Sequence, residues 1–368
     1  MHHTIETIIK NSPHLNWMKD GLFFLGRHGS WAYGLNTETS DEDFKGFCCP
    51  PKQYFYSATQ KFEQAELKAP NPDTTIYDIR KFSNLASQNN PSIIEVLFIS
   101  SEDQLYVSDL GQKIIDYRDA FLSKRIRFSF AGYAVSQLNR LKLHRNYLLN
   151  PPKSYPSRSA LGLPNQTLIP QDQLMAAEAD IQKQLDKVNF DFLEEVSEPV
   201  KIGIRNIMSE MLATLKITSD DQWLSAARTI GLSDNFIEIM HKERQYKNLK
   251  SQYDKYQEWK KNRNPIRAAL EAKFGYDGKN AMTLIRLMRI CVEALSTGKI
   301  IVKRPDREEL LLIKNGAWSY ERLIEEAEKL DQQAEELYKT SLLPKTPNFQ
   351  QLDSLCVELV EQHLERLK

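Results

Sequence analysis

The sequence predicts an α/β (α+β) fold: a small mixed sheet with flanking helices over residues 1–118, then a mostly α-helical part over 119–368. Three observations predict it. The apolar run Leu22–Leu25 is short enough to be a buried strand, and a small-residue turn, Gly29-Ser30, follows it. Thr74–Arg80 is rich in β-branched and aromatic residues and reads as another strand. From about residue 105 the strand signals fade and the apolar spacing becomes helical.

Taken in order, residues 4–19 form a short amphipathic pattern with Ile5, Ile8 and Ile9 on one side, broken at Ser12-Pro13. A strand pair is expected over 21–49 and ends at Pro50-Pro51, because proline supplies no ladder donor. Residues 52–73 read as a surface connection ending in Pro70-Asn71-Pro72. The strand at 74–78 runs into a helical pattern from Arg80. Asn89-Asn90-Pro91-Ser92 stops that helix and starts the next, with Ser92 and Glu95 spaced as a capping box. Glu95 is therefore expected as a cap or as a partner for Arg80. Helices are expected over 120–149, 170–188, 196–216, 220–241, 279–297, 318–340 and 349–367, with a proline- and serine-rich loop at 150–168. Residues 241–267 interleave Tyr246, Tyr253, Tyr256 and Trp259 with basic residues, a composition that suits either a nucleic-acid face or a helix with its rings turned inward.

Composition excludes little but is informative about class. Lys+Arg and Asp+Glu balance at 49 each, so no global field draws the chain to nucleic acid or membrane. No apolar run approaches the roughly 18 residues of a spanning helix, and no signal-peptide pattern opens the chain. Cys48, Cys49, Cys291 and Cys356 lack zinc-ligand spacing, and buried, reduced thiols in a cytoplasmic setting are expected.

The chemistry concentrates in residues 21–46. If Asp41–Lys45 is extended, Asp41, Asp43 and Lys45 share one face. Neighbouring carboxylates repel unless a cation lies between them, and oxygen ligands suit Mg²⁺. Gly29-Ser30 could offer backbone N–H groups and a hydroxyl to a phosphate. A third carboxylate is expected, and Asp78, on an otherwise core-like strand, is the candidate. Asp41 and Asp43 equally suit an acidic loop that caps a helix or faces solvent.

Gly29-Ser30, Asp41-x-Asp43 and a strand-borne Asp78, in that order, resemble the signature of the polymerase-β nucleotidyltransferase superfamily. More narrowly, GSWAYGL, SDEDFKG, YDIRKF and NNPSIIEVLF are similar to predicted nucleotidyltransferases associated with RNA repair, many of them phage-encoded. The resemblance continues in the block from about 275 to 323, including GYDGKNAMTLIRLMRICVEAL.

The resemblance implies a nucleotidyltransferase core in which Asp41, Asp43 and Asp78 hold two Mg²⁺ ions, with Mn²⁺ able to substitute. It implies that Gly29 and Ser30 hold the β- and γ-phosphates of a nucleoside triphosphate. Arg27 and Lys45 would neutralise triphosphate charge or pair with the acids. Lys279 and Arg286, seven residues apart and so on one helix face, match basic positions that close over the nucleotide. Asn280 and Thr283 depart from the histidines common in relatives. The implied acceptor is an RNA end, tRNA included. The alternatives are a protein or small-molecule hydroxyl, or a catalytically silent scaffold that binds RNA or protein.

Overall fold

The computed structural model describes residues 2–38, 40–68, 72–167 and 233–367, together with 172–173, 175–177, 179–181, 183 and 227–228. Two compact units make up the chain: Met1–Arg145 with Ile266–Lys368, and Asn146–Pro265 between them. The expected boundary at 118/119 falls inside the first unit. The C-terminal helices belong with the sheet, so sequence order does not mark the division.

The first unit opens with α1 (His3–Asn11), α2 (Met18–Gly21), β1 (Leu22–His28), the single turn α3 (Gly29–Ala32) and β2 (Asp43–Cys48). There follow α4 (Gln53–Tyr56), β3 (Gln64–Leu67), β4 (Thr74–Asp78), α5 (Ile79–Ser87), α6 (Pro91–Leu97), β5 (Gln104–Val107), α7 (Asp109–Asp116) and the long α8 (Ile126–Leu149), which runs on into the second unit. The small mixed sheet and the helical remainder match the predicted fold class. The sheet has the order β3-β4-β2-β1-β5. β1 is antiparallel to β2 and β5, while β2 and β4 are parallel. The surface connection expected over 52–73 contains α4 and the edge strand β3. β5 likewise lies where strand signals were expected to fade. Both edges are short and partly polar, so neither carries the apolar run that made β1 legible.

β1 is buried on both faces, as expected of a central strand with a continuous apolar run. On one face Phe24 stacks on Phe47 at 5.3 Å, and Phe47 meets Phe82 of α5 at 4.3 Å. On the other, Leu22, Leu25, Phe44, Cys48 and Ile76 pack with Ile5 and Ile8 of α1. The two faces matter below, because the period of two assigns each acid to one of them.

The helix α6 is capped by Asn90, whose carbonyl accepts from the Ser92 N–H at 3.1 Å, with Pro91 at the first helical position. The Ser92–Glu95 capping box therefore does not form; the cap lies two residues earlier. Residues beyond 233 give α9 (Asp234–Asn262), α10 (Pro265–Phe274), α11 (Gly278–Thr297), α12 (Arg307–Lys314), α13 (Tyr320–Thr340) and α14 (Phe349–Arg366). The helix expected over 196–216 lies outside the described residues, and those over 170–188 and 220–241 lie only partly within them. All four cysteines are buried and free. No described helix is long and apolar enough to cross a membrane.

In the second unit, the rings of the basic-aromatic segment are engaged with protein. Tyr256 and Trp259 pack on Tyr147 at 5.3 and 5.2 Å, and Tyr253 packs on Tyr155 at 5.4 Å. Arg158 forms a two-pronged pair with the buried Glu243. The rings are thus half-buried against other side chains of this unit, with Lys260 and Lys261 exposed beside them.

Candidate active site

The site starts at the end of β1. His28 leaves the strand extended, and Gly29 then takes φ +64°, a region that side-chain-bearing residues rarely adopt. A Cβ placed on Gly29 would come within 2.4 Å of Asp43 Oδ2. The turn therefore has room for the Asp43 carboxylate only because residue 29 lacks a side chain. Gly29→Ala is expected to displace that carboxylate and to impose about 1–2 kcal/mol of backbone strain. The loss should appear in thermal unfolding.

Asp43 opens β2 directly opposite His28. Its carboxyl titrates above the usual range, first because it is partly buried and then because Asp73, and more weakly Asp41, stand near it; Lys279 and Lys45 pull the other way. Three carboxylates and two lysines thus bear on one end of the sheet. Neighbouring carboxylates set against a backbone turn with no side chain in the way are a donor set suited to a hard divalent cation.

Asp78 is not in this cluster. The parallel register pairs Phe44 with Thr74 and Cys48 with Asp78. Asp78 therefore lies five residues farther along the ladder than Asp43, roughly 16 Å away at strand spacing. Alternation also puts it on the opposite face, with Ile76 and Phe44. Its carboxylate is buried and committed. Oδ1 accepts from the Arg80 N–H at 2.7 Å, capping α5, and Oδ2 accepts from Arg80 Nη2 at 2.6 Å. The expectation of Asp78 as third ligand is thus corrected: it is an N-cap and ion-pair residue. The position opposite Asp43 on β4's side is Asp73, whose carbonyl accepts from the Phe44 N–H at 2.8 Å. A cavity of about 690 Å³, lined in part by Arg80, Ser83, Phe349 and Cys356, lies by the Asp78 end rather than by the acids.

The basic candidates separate in the same way. Lys45 shares the Asp43 face and is largely buried; its Nζ donates to the Ser92 carbonyl at 3.0 Å and to the Ser92 hydroxyl. Burial pushes its pKa down to about 8, against the opposing pull of Glu95, Asp73 and Asp43. Lys279, in the first turn of α11, is near enough to Asp43 to lower its pKa. Arg27 lies on the other face, opposite Phe44, and pairs with Glu42 at 3.1 Å. Of its two expected roles, neutralising triphosphate charge or pairing with the acids, the structure shows an ion pair to Glu42 of the acidic run.

Arg286 is also corrected. It is 5% exposed and donates to Glu95 Oε1 at 2.6 Å, while Tyr33 donates its hydroxyl to Glu95 Oε2 at 2.6 Å. The guanidinium lies 3.7 Å from the centre of the Tyr33 ring. Arg286 cannot reach over a nucleotide while so held; it anchors the segment that follows Gly29-Ser30. The same segment is held by the Arg304 N–H to the Tyr33 carbonyl at 3.0 Å and by Arg307 Nε to the Gly34 carbonyl at 2.5 Å. The downstream block thus fixes the loop through buried charge and backbone contacts. Glu95, expected as a cap or an Arg80 partner, is the hub of that network.

Residues 1–150 match the model of the family RlaP, the RNA repair pathway DNA polymerase beta family. Over these residues the chain is similar to polymerase-β nucleotidyltransferases. No curated protein and no solved structure gives a significant match to the chain. The matched stretch contains Gly29, Ser30, Asp41, Asp43, Asp73 and Tyr33, but not Lys279 or Arg286.

Sequence reasoning missed several residues around this site. Asp73 stands just before the β-rich run, and only the parallel register brings it opposite Asp43. His28 is buried with its Nε2 unpartnered, and burial, then Lys45 and Arg286, hold its pKa well down. Elsewhere, ligand atoms of His144, Glu271 and Asp277 lie within 4.8 Å of one another. Asp277 is engaged there as the N-cap of α11, accepting from Lys279 and Asn280 N–H groups at 2.8 and 3.1 Å.

Proposed function

We propose that the chain transfers a nucleoside monophosphate from a nucleoside triphosphate to an acceptor hydroxyl, an RNA end, and releases pyrophosphate. The observation that carries this reading is Asp43 set against the Gly29 turn, with Asp73 opposite it just before the neighbouring strand, inside the stretch that matches the polymerase-β family model. In the reaction the acceptor oxygen bonds to the α-phosphorus and its hydroxyl proton passes to solvent, while the bond from that phosphorus to the β-bridging oxygen breaks and pyrophosphate leaves with those electrons. No protein nucleophile is needed, so the chain's part is positioning and charge neutralisation.

Asp41, Asp43 and Asp73 would hold Mg²⁺, with a pair of ions as the polymerase-β type implies and Mn²⁺ as a substitute. Bound divalent ions supply neutralisation of phosphate charge and activation of the acceptor hydroxyl. Backbone N–H groups at Gly29 and Ser30 would take phosphate oxygens, and Lys279 would add positive charge across the site. Lys45, tied to Ser92, keeps a second cation beneath the acids and fixes β2 against α6. Buried free thiols agree with a cytoplasmic setting.

The experiment is label transfer from each α-phosphate-labelled ribonucleoside triphosphate, with Mg²⁺, into small RNA and into protein extract. Label in RNA that depends on Mg²⁺ is expected and identifies the nucleotide. Label in protein alone would move the acceptor to a protein hydroxyl. Absence of transfer to either, in a folded chain, would favour a scaffold.

A further inference from the structure

We propose that Tyr133, with Tyr77 beside it, is the platform on which a nucleobase stacks next to the acidic site. The inference rests on the nucleotidyltransferase reading and supplies what that reading lacks, the residues that hold a base.

A line of contacts leads from the acids to the ring. Lys45 lies on the Asp43 face of β2 and binds Ser92 through both the carbonyl and the hydroxyl. Ser92 N–H donates to the side-chain carbonyl of Asn90 at 3.1 Å, and the amide of the same Asn90 donates to the Tyr133 hydroxyl at 3.2 Å. Tyr77 reaches the place from the sheet. It pairs with Phe47 in the parallel register, so it shares the face of Asp43 and Lys45. Its ring is half-buried against the core on that face.

Tyr133 has the form such a platform requires. Its hydroxyl is tethered to a capping side chain, which limits ring motion, yet the residue is 42% exposed. A fixed aromatic ring open to solvent beside a phosphate-handling site offers stacking without reading a base edge, because every base has a π face. Stacking on one ring contributes about 1–3 kcal/mol, or roughly 5- to 150-fold in affinity. The base has two sources, the nucleoside triphosphate or the terminal nucleotide of the RNA acceptor.

The test is calorimetric titration of the full chain, with Mg²⁺, using inorganic triphosphate, ATP and a short oligoadenylate. Tyr133→Ala should weaken binding by about 5- to 150-fold for whichever base-bearing ligand uses the platform, and should leave inorganic triphosphate unchanged. A loss for ATP assigns the incoming base; a loss for oligoadenylate assigns the acceptor. Tyr133→Phe, which keeps the ring and drops the tether, should retain most of the affinity, and Tyr133→Trp should keep or improve it. Unchanged binding of both ATP and oligoadenylate by Tyr133→Ala overturns the platform. Failure of the nucleotidyltransferase reading has a separate sign, triphosphate binding that is indifferent to Asp43→Asn.

Discussion

Asp43→Asn and Asp73→Asn are each expected to lower nucleotidyl transfer by about 10²–10³-fold or more, the scale of losing one preorganised charge at a reacting centre. Neither should cost much stability. Each removes a carboxylate from a mutually repelling set, and Asp43 already titrates above its ordinary range beside Asp73 and Asp41. Asp78→Asn should do the opposite. It weakens a buried cap and ion pair to Arg80, with an expected cost of about 1–3 kcal/mol in thermal unfolding. Transfer per folded molecule should stay near the parent value. Parallel measurement of melting temperature and transfer in the three variants separates the two kinds of acid. Loss of transfer in Asp78→Asn at unchanged stability would contradict this division.

Glu95→Gln is expected to have the largest effect on stability, about 3–5 kcal/mol. Glu95 and Arg286 are 1% and 5% exposed, and the substitution leaves the guanidinium buried without a counter-charge. Gln can still accept from the Tyr33 hydroxyl, so the loss reads the charge rather than that hydrogen bond. Replacing both partners, Glu95→Met with Arg286→Met, should recover much of the loss, because a well-packed apolar pair carries no desolvation penalty. Chemical denaturation of Glu95→Met, Arg286→Met and the double variant gives the coupling directly. The double variant is expected to keep its fold yet transfer more slowly. Tyr33, four residues past Gly29, would lose the two side chains that fix its ring and hydroxyl.

The local chemistry of this site was legible in the sequence and its assembly was not. Leu22–Leu25 announced a buried strand, Gly29-Ser30 a turn, and Asp41-x-Asp43 a pair of carboxylates, because each of these depends on neighbours within a few residues. Asp78 was misplaced because alternation orders residues along one strand and says nothing of register between strands. Parallel pairing of β2 and β4 is a nonlocal choice, and it brings Asp73 to Asp43 and carries Asp78 to the far end and other face. Its place on an apolar strand is legible in the sequence, and Arg80, two residues on, accounts for its burial. Arg286 and Glu95 are 191 residues apart in sequence, and helical periodicity could show that Arg286 shares a face with Lys279 without showing that this face is buried. The edge strands β3 and β5 escaped because QAEL and QLYV alternate weakly and are short.

The most direct measurement is Mn²⁺ titration followed by the electron paramagnetic resonance of the free ion, for the parent chain and for Asp43→Asn, Asp73→Asn and Asp78→Asn. The acids at the Gly29 turn are expected to bind the ion, with affinity reduced about 10-fold or more in Asp43→Asn and Asp73→Asn and unchanged in Asp78→Asn. Weakened binding in Asp78→Asn, with Asp73→Asn behaving as the parent, would contradict the account.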